Sequence, residues 1–406
     1  MGVRPQTRDI VVVGGGLVGL TAASLLADAG FTLTLIDPVT PLPVRDEPYD
    51  LRSYALTPAA QRILAQIGVW PRLAGSRIAE FTHLQVWDAE GRGELRFDAR
   101  LTAAPAPLGY MVEHSNLLAA SHAAVQARAN VAGLAGQVTA VVNHPEFCTV
   151  HLSDGREVNA SVLLACDGGD SPLRKLCGIA CDSHAYAQTA VIANVTTGIP
   201  HGPIARQRFL REGPLALLPL PPPTLTAIVW TTTPAHAAWL TTCAEAEFCA
   251  ALASASAARL GTIDGTSRRL AFPLQRRHAA QYVRERVALL GDAAHVIHPL
   301  AGQGLNLGLL DVATLVELLA TASRARLQYP QSLLKRYARI RRGETLAMIA
   351  VTEQLNRMFA IHNPGFTWLR NTGLNLVDKL TPLKRVLAQH AMGQGGEVPA
   401  IARELI

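Results

Sequence analysis

Residues 9–37 read DIVVVGGGLVGLTAASLLADAGFTLTLID. The run at 10–13 is continuously apolar, as in a strand buried on both faces of a parallel sheet. Residues 17–29 carry apolar side chains at helical spacing, and 31–37 alternate as a second strand, which completes a βαβ unit. Gly14 permits the tight turn after the first strand, Gly16 lets the backbone approach a pyrophosphate, and Gly19 lets the helix pack closely on the sheet. The helix N-terminus offers unpaired N–H groups to phosphate. Asp37 closes the second strand, where a carboxylate accepts hydrogen bonds from ribose hydroxyls. Strand, glycines, helix and acid in register point to an adenine dinucleotide, and the motif by itself does not separate NAD from FAD.

Outward from this unit, three segments share its chemistry. Residues 291–311 read GDAAHVIHPLAGQGLNLGLLD. A buried strand at 287–290 delivers Gly291 and Asp292, and the acid can accept bonds from sugar or ribityl hydroxyls. Pro299 stiffens the next turn. Gly302, Gln303 and Gly304 carry little bulk near the main chain, so a flat ring can lie there, and a helix is expected from about Gly304. His295 and His298 read as satisfied loop histidines. Residues 166–171, CDGGDS, form a strand-to-helix turn that contains Asp167 and Gly168, with Arg174 following. In DLRS at 50–53, Arg52 suits a phosphate, a planar ring or a surface ion pair.

Between 182 and 274 the texture becomes β-rich, with strands expected at 190–195, 207–211, 216–219 and 226–231. The strand around Leu217 and Pro219 reads either as a wall for a substrate or as plain core. The expected fold class is α/β: a Rossmann-like dinucleotide-binding domain, an FAD-binding domain by the resemblance given below, with an inserted β-sheet substrate domain and C-terminal helices. In that division residues 1–77, 107–181 and 275–345 bind the dinucleotide, 78–106 and 182–274 bind substrate, and 346–406 are helical.

Composition narrows the function classes. A chain of 406 residues exceeds one ordinary core. The six cysteines form no CxxC pair and no zinc spacing, so no metal site is expected and the thiols read as reduced. Aromatic residues are 5%, too few for a stacking platform, and no nucleic-acid partner is expected. The net charge of +6 is partly local. Residues 323–343 hold Arg324, Arg326, Lys335, Arg336, Arg339, Arg341 and Arg342 with no acid between, either as a solvated helix face or as a surface for anionic lipid or an acidic partner. No apolar run reaches the ~20 residues of a membrane span. A cytoplasmic location is expected, with peripheral contact on the inner membrane as its extension.

The segments together resemble the FAD-dependent aromatic hydroxylases (class A flavoprotein monooxygenases), and within them the ubiquinone-biosynthesis hydroxylases. The resemblance rests on GGGLVG at 14–19, DLRSYAL at 50–56, Asp167-Gly168, GPLALLPL at 213–220, GDAAHVIHPLAGQGLNLG at 291–308 and the late LNRMF…LRNTGLNLVDKLTPLKR. It implies FAD as cofactor, with NAD(P)H and O₂ as co-substrates and a C4a-hydroperoxyflavin that hydroxylates the ring of a polyprenylated phenol. It also implies roles. Gly14, Gly16, Gly19 and Asp37 hold adenosine and pyrophosphate, and Arg52 lies near the cofactor. Asp167 and Gly168 serve FAD and nicotinamide, and Asp292 the ribityl–pyrophosphate region. Pro299, Gly302, Gln303 and Gly304 border the reacting ring. Other ubiquinone-biosynthesis proteins and a second copy of the chain are further partners the family suggests. A halogenase would carry a Trp-x-Trp-x-x-Pro run, and the tryptophans here are isolated. A prenyl reductase and a non-catalytic FAD-binding scaffold are the other readings of the same motifs.

Overall fold

The computed structural model describes residues 7–38, 49–101, 106–322 and 328–403. The first sheet is built on the apolar strand Thr7–Val13, which pairs in parallel with Leu33–Asp37 on one side and Glu157–Ala165 on the other. Val131–Ala135 and Val287–Leu289 extend the parallel core outward. Cys148–Leu152 and Val138–Asn143 branch from it as an antiparallel ribbon. The chain leaves Thr7–Val13 toward one edge and returns to its other side, so the strand order reverses there. In open α/β sheets the crevice at such a reversal, beyond the carboxyl ends of the strands, is where ligands bind. Gly14 and Cys166 lie at that point, and Cys166 N–H donates to the Val13 carbonyl at 2.8 Å.

A second sheet runs from His295–Val296 through Leu270–Ala279, Cys181–Thr197, Leu225–Thr232, Gly213–Pro219, Ile204–Leu210 and His83–Asp88 to Glu94–Asp98. One face is covered by helices Pro234–Thr242 and Glu245–Ala255, whose Leu240, Phe248 and Leu252 pack on Leu215, Leu217 and Trp230. The strand Cys181–Thr197 is far longer than the 190–195 expected. Its register shifts between Ala185 and Thr189, where Ala187 takes φ +53°, and the local period is lost at that bulge. A three-stranded sheet, Ser53–Leu56, Gly109–Glu113 and Ile78–Phe81, stands at the junction.

Two long helices close the first sheet. Gly304–Ala320, here the seat helix, starts where the glycines at 302 and 304 place it. Gln331–Phe359, the long helix, packs on it. The basic reading of this helix needs one correction. Lys335, Arg336, Arg339 and Arg342 are exposed, but Arg341 is 2% exposed and bonded inside the protein, because it falls on the buried stripe of Leu334, Tyr337, Thr345 and Ile349. Arg324 and Arg326 lie outside the described residues.

Glycine spacing controls how the seat helix meets the nucleotide helix Leu17–Asp28. A Cβ on Gly308 would stand 2.9 Å from Val18 Cγ2 and 3.1 Å from Gly291 Cα. A Cβ on Gly343, in the long helix, would meet nothing within 4 Å. The two Gly→Ala substitutions therefore have opposite expected signs. G343A raises stability by about 0.5–1 kcal/mol through helix propensity. G308A lowers it by about 1–3 kcal/mol through overpacking, and V18A restores part of that loss. Chemical denaturation of the four proteins checks all three outcomes.

Candidate functional site

The crevice is assembled by four loops. Gly14 takes φ +110°, and a Cβ there would lie 2.3 Å from the Cys166 carbonyl oxygen. A Cβ on Gly19 would lie 1.9 Å from the Gly14 carbonyl oxygen. These two glycines serve packing. Gly16 differs: it precedes the nucleotide helix, and nothing stands within 4 Å of where its Cβ would be. No side chain caps that helix and no acid lies in its first turn. Asp37, at the end of its strand, accepts a short hydrogen bond from Gly15 N–H, which puts the carboxylate beside the glycine loop.

Asp167 behaves differently from a free ligand group. Its carboxylate accepts Ser171 Oγ at 2.6 Å and Leu173 N–H at 2.8 Å, capping the short helix Pro172–Leu176. Gly168, φ +86°, leaves open space beside that cap. Arg174 is buried and ties two loops together, donating to the Ala293 carbonyl at 2.7 Å and the Gly169 carbonyl at 3.0 Å. Arg52 lies close enough to Tyr54 and Asp292 to act on the charge of both. Tyr54 Oη in turn meets His114 Nδ1 at 3.1 Å.

The floor of the crevice is the loop at 291–303, held from behind by Asp311. This fully buried carboxylate accepts Gly291 N–H at 3.0 Å, His295 Nε2 at 2.6 Å and Arg341 Nε at 2.7 Å. Burial pushes its pKa up, and the charges and hydrogen bonds of His295 and Arg341 outweigh that push, leaving it lowered. With its back pinned, the turn presents Asp292 outward. Asp292 is ringed by protein yet reachable by solvent, and desolvation raises its pKa against the fields of His295 and Arg52. Beyond it Pro299–Ala301 forms a single 3-10 turn, and Gly302 closes it at φ +61°, 3.6 Å from Ala55 Cβ as measured from its own would-be Cβ. Asn306 then locks the seat helix to the neighbouring strand, donating to the Ala55 carbonyl at 2.9 Å and accepting Thr57 N–H at 3.0 Å. The seat helix also begins with no side-chain cap and no acid in its first turn.

The second sheet supplies the opposite wall. The bulge at 186–188 sends Tyr186 against the His298 ring, edge to face at 4.8 Å, and Gln188 Oε1 to His298 Nε2 at 3.3 Å. His298 is buried, its Nδ1 has no hydrogen-bond partner among the described residues, and burial lowers its pKa to about 4. His295 Nδ1 is likewise unpartnered, so neither histidine is fully satisfied as the sequence suggested. Leu217 does not reach this wall. It packs into the core behind the sheet with Trp230 and Phe248, and alternation puts Pro219 on that same side. The neighbour Leu218 faces the cluster that contains Ala55 and Met111. Among the described residues no group of His, Cys, Asp and Glu could hold a metal ion.

Two bare helix N-termini, a glycine loop with open space and a ribose-height acid make a coherent cradle for a dinucleotide carrying a flat ring. The model of the FAD binding domain matches residues 7–352. The chain belongs to this FAD-binding family. Among curated relatives, the 3-demethoxyubiquinol 3-hydroxylase of Escherichia coli (strain K12) is 35% identical, covering 96% of this chain and 99% of that one. The mitochondrial ubiquinone biosynthesis monooxygenase COQ6 of Homo sapiens is 31% identical, covering 94% and 92%. Among solved structures, p-nitrophenol 4-monooxygenase PnpA from Pseudomonas putida DLL-E4 superposes with a TM-score of 0.76 at 22% identity, covering 97% and 99%. That last likeness concerns the fold.

The FAD-binding cradle depends on residues that lie in or near the quoted segments but to which the sequence assigns no part in it: Asp311, Arg341, Arg174 and Asn306. Removing one partner of a buried ion pair strands the other, at about 3–5 kcal/mol. R341A is therefore expected to lose that much stability and most of its bound flavin, whereas R339A, on the exposed face, changes stability by under about 0.5 kcal/mol. Denaturant melts and flavin absorbance of the purified proteins check both. A pH dependence follows from the buried histidines. His298 and His278 both have pKa values lowered to about 4 by burial, below the ordinary 6.5. The unfolded chain binds more protons in this window, so folding stability is complete above pH 6.5 and falls as pH drops toward 4. H298Q is expected to flatten that slope by up to about 1.4 kcal/mol per pH unit, as read from melts across the window.

Proposed function

We propose that this chain is an FAD-dependent monooxygenase that hydroxylates the ring of a polyprenylated phenol in ubiquinone biosynthesis. The observation that carries the reading is the end-to-end match, at 35% identity, to a 3-demethoxyubiquinol 3-hydroxylase, over nearly the full length of both chains. Bound FAD supplies the redox chemistry: electron uptake from NAD(P)H and activation of O₂ for transfer of one oxygen atom to an aromatic ring. The division into residues 1–77, 107–181 and 275–345 for FAD, 78–106 and 182–274 for substrate, and 346–406 as helices is part of the same proposal, with two boundaries corrected: the long helix Gln331–Phe359 runs unbroken across 345/346 and the strand Leu270–Ala279 across 274/275.

The chain's own residues bind, orient and exclude water. Gly16 and the nucleotide helix N-terminus receive pyrophosphate, and Asp37 the ribose. Asp292 and Arg52, each within the other's field, would face the sugar chain. Asp167 keeps the Gly168 turn in shape by capping its helix. Pro299, Gly302, Gln303 and Gly304 give a low, stiff floor for the ring. The N-terminus of the seat helix directs partial positive charge at that floor and would stabilise negative charge on a ring held there. The substrate ring lies across the floor against Leu218, Met111 and Ala55, an apolar wall that keeps water out. The substrate's apolar tail brings the protein to a membrane surface. Among the described residues no helix is long and apolar enough to cross one.

Two measurements test the reading. Deletion of the gene is expected to accumulate one under-hydroxylated quinone precursor by mass spectrometry, and normal ubiquinone in a strain with no second hydroxylase would overturn the assignment. L218W is expected to raise KM for the phenol about tenfold or more by narrowing the wall, with flavin content kept. L217A, behind the sheet, should instead cost about 2–5 kcal/mol of stability and leave KM unchanged.

A further inference from the structure

The helix Pro364–Lys379 is amphipathic in the reverse sense. Its polar side chains face the protein. Arg370, buried, pairs with Asp88 at 2.7 Å. Asn371 accepts Gly93 N–H, Asn375 accepts Glu94 N–H at 3.1 Å, and Asp378 accepts Arg96 N–H at 2.9 Å. This ladder at helical spacing satisfies N–H groups along the edge strand of the second sheet. The apolar side chains point the other way: Trp368 is 69% exposed, Leu376 56%, and Leu369 and Leu380 continue the stripe. The next helix, Thr381–Ala391, extends it with Leu383, Val386 (56% exposed) and Leu387. A helix exposed to water on its outer side has its apolar stripe inward, so this face is built for a different medium.

Charge and connectivity identify the medium. From 361 to 390 the described acids reduce to Asp378, which Lys384 and the Arg96 N–H engage, while Lys379 is exposed beside the stripe and Arg385 turns back to donate to the Leu101 carbonyl at 3.1 Å. Beside Trp368, a cleft of about 660 Å³ is lined by Arg92, Arg211, His362 and Glu90; Glu90 is engaged by His362 at 3.0 Å and by buried Arg370 at 3.5 Å, which leaves the two arginines as the cleft's excess charge. On the inner side of Thr381–Ala391, Ala388 packs into the apolar cluster of Phe81, Met111 and Leu218, which reaches Ala55 at the floor of the FAD crevice. One contiguous apolar body thus runs from the crevice to the helix that carries Val386.

We propose that the outer face of helices Pro364–Lys379 and Thr381–Ala391 docks on an anionic lipid bilayer, with Arg92 and Arg211 at the level of the headgroup phosphates and the apolar stripe in the acyl boundary. Such interfacial binding combines buried apolar area with attraction to anionic lipid. The inference rests on the proposed prenylated substrate for its purpose, since the docked face sets the apolar cluster that adjoins the crevice next to the membrane where the tail resides.

The test uses the FAD-loaded full chain and flotation with vesicles of phosphatidylcholine alone or of equal parts phosphatidylcholine and phosphatidylglycerol. Binding is expected, and tighter on the anionic vesicles. The double variant L376E/V386E should lose at least about tenfold in partitioning to both. R92A/R211A should lose mainly the anionic preference, about fivefold per arginine. Far-UV circular dichroism and flavin content establish that the variants are folded. Wild-type binding to neither vesicle, or unchanged binding of L376E/V386E, would overturn the proposal. So would a lipid-free dimer by sedimentation velocity that L376E/V386E dissociates, because the face would then belong to a second copy. Phenol turnover in detergent separates the two readings. Vesicle binding with no turnover of any prenylated phenol leaves the surface standing and removes the substrate, whereas turnover without vesicle binding removes the surface alone.

Discussion

The site hangs on one buried carboxylate. Asp311 ends the run at 291–311, inside the seat helix, and joins the end of a parallel strand, the loop that follows and the long helix. A carboxylate without solvent is costly unless its acceptor capacity is met by charged or polar donors. Here Arg341, His295 and the Gly291 N–H meet it from three directions. The arrangement makes the floor of the crevice indifferent to solvent and fixes the direction in which Asp292 points. Val18 completes the lock by filling the gap between Gly291 and Gly308. Two glycines far apart in sequence are thus both answers to one valine on the nucleotide helix.

Much of the nucleotide-binding half was legible because its signals are local. The strand at Thr7–Val13, the glycines after it and Asp37 each act within a few residues of their own position. Arg341 was misread as part of a basic face because charge was counted without helical phase. Its spacing from Tyr337 and Thr345 puts it in the middle of the buried stripe, and that phase was available in the sequence. The choice between Leu217 and Leu218 was not available. Both neighbours are apolar leucines, so alternation carries no polarity signal, and only the helices packed behind the sheet tell the two faces apart. Asp167 shows a third case: the motif points to the right turn, while the carboxylate itself is occupied in shaping that turn.

The C-terminal helices show how an edge strand can dictate what a surface becomes. Strand edges expose unpaired N–H groups, and proteins cover or blunt them. Here the cover is a helix whose asparagines and aspartate serve as acceptors for Glu94–Asp98 and the turn before it. Once one side of the helix is committed to polar bonding, only Leu374 finds an inward apolar place there, and most of the other apolar residues are left to the outside. The outward stripe is therefore the geometric counterpart of the sheet's protection, and the two features stand or fall together.

The short strand His295–Val296 has a consequence for how this architecture can change. It belongs to the flavin-side loop by sequence, but it pairs with Arg277 and His278 of the second sheet. The loop is thus clamped to Asp311 on one side and stitched to Leu270–Ala279 on the other. The two lobes cannot hinge apart about this point without breaking backbone pairing beneath the ring. Recombination between relatives meets the same barrier. A chimera that exchanges the second sheet at the obvious linkers separates two strands that were fitted to each other, so the unit of inheritance here is a pair of segments and not a contiguous domain.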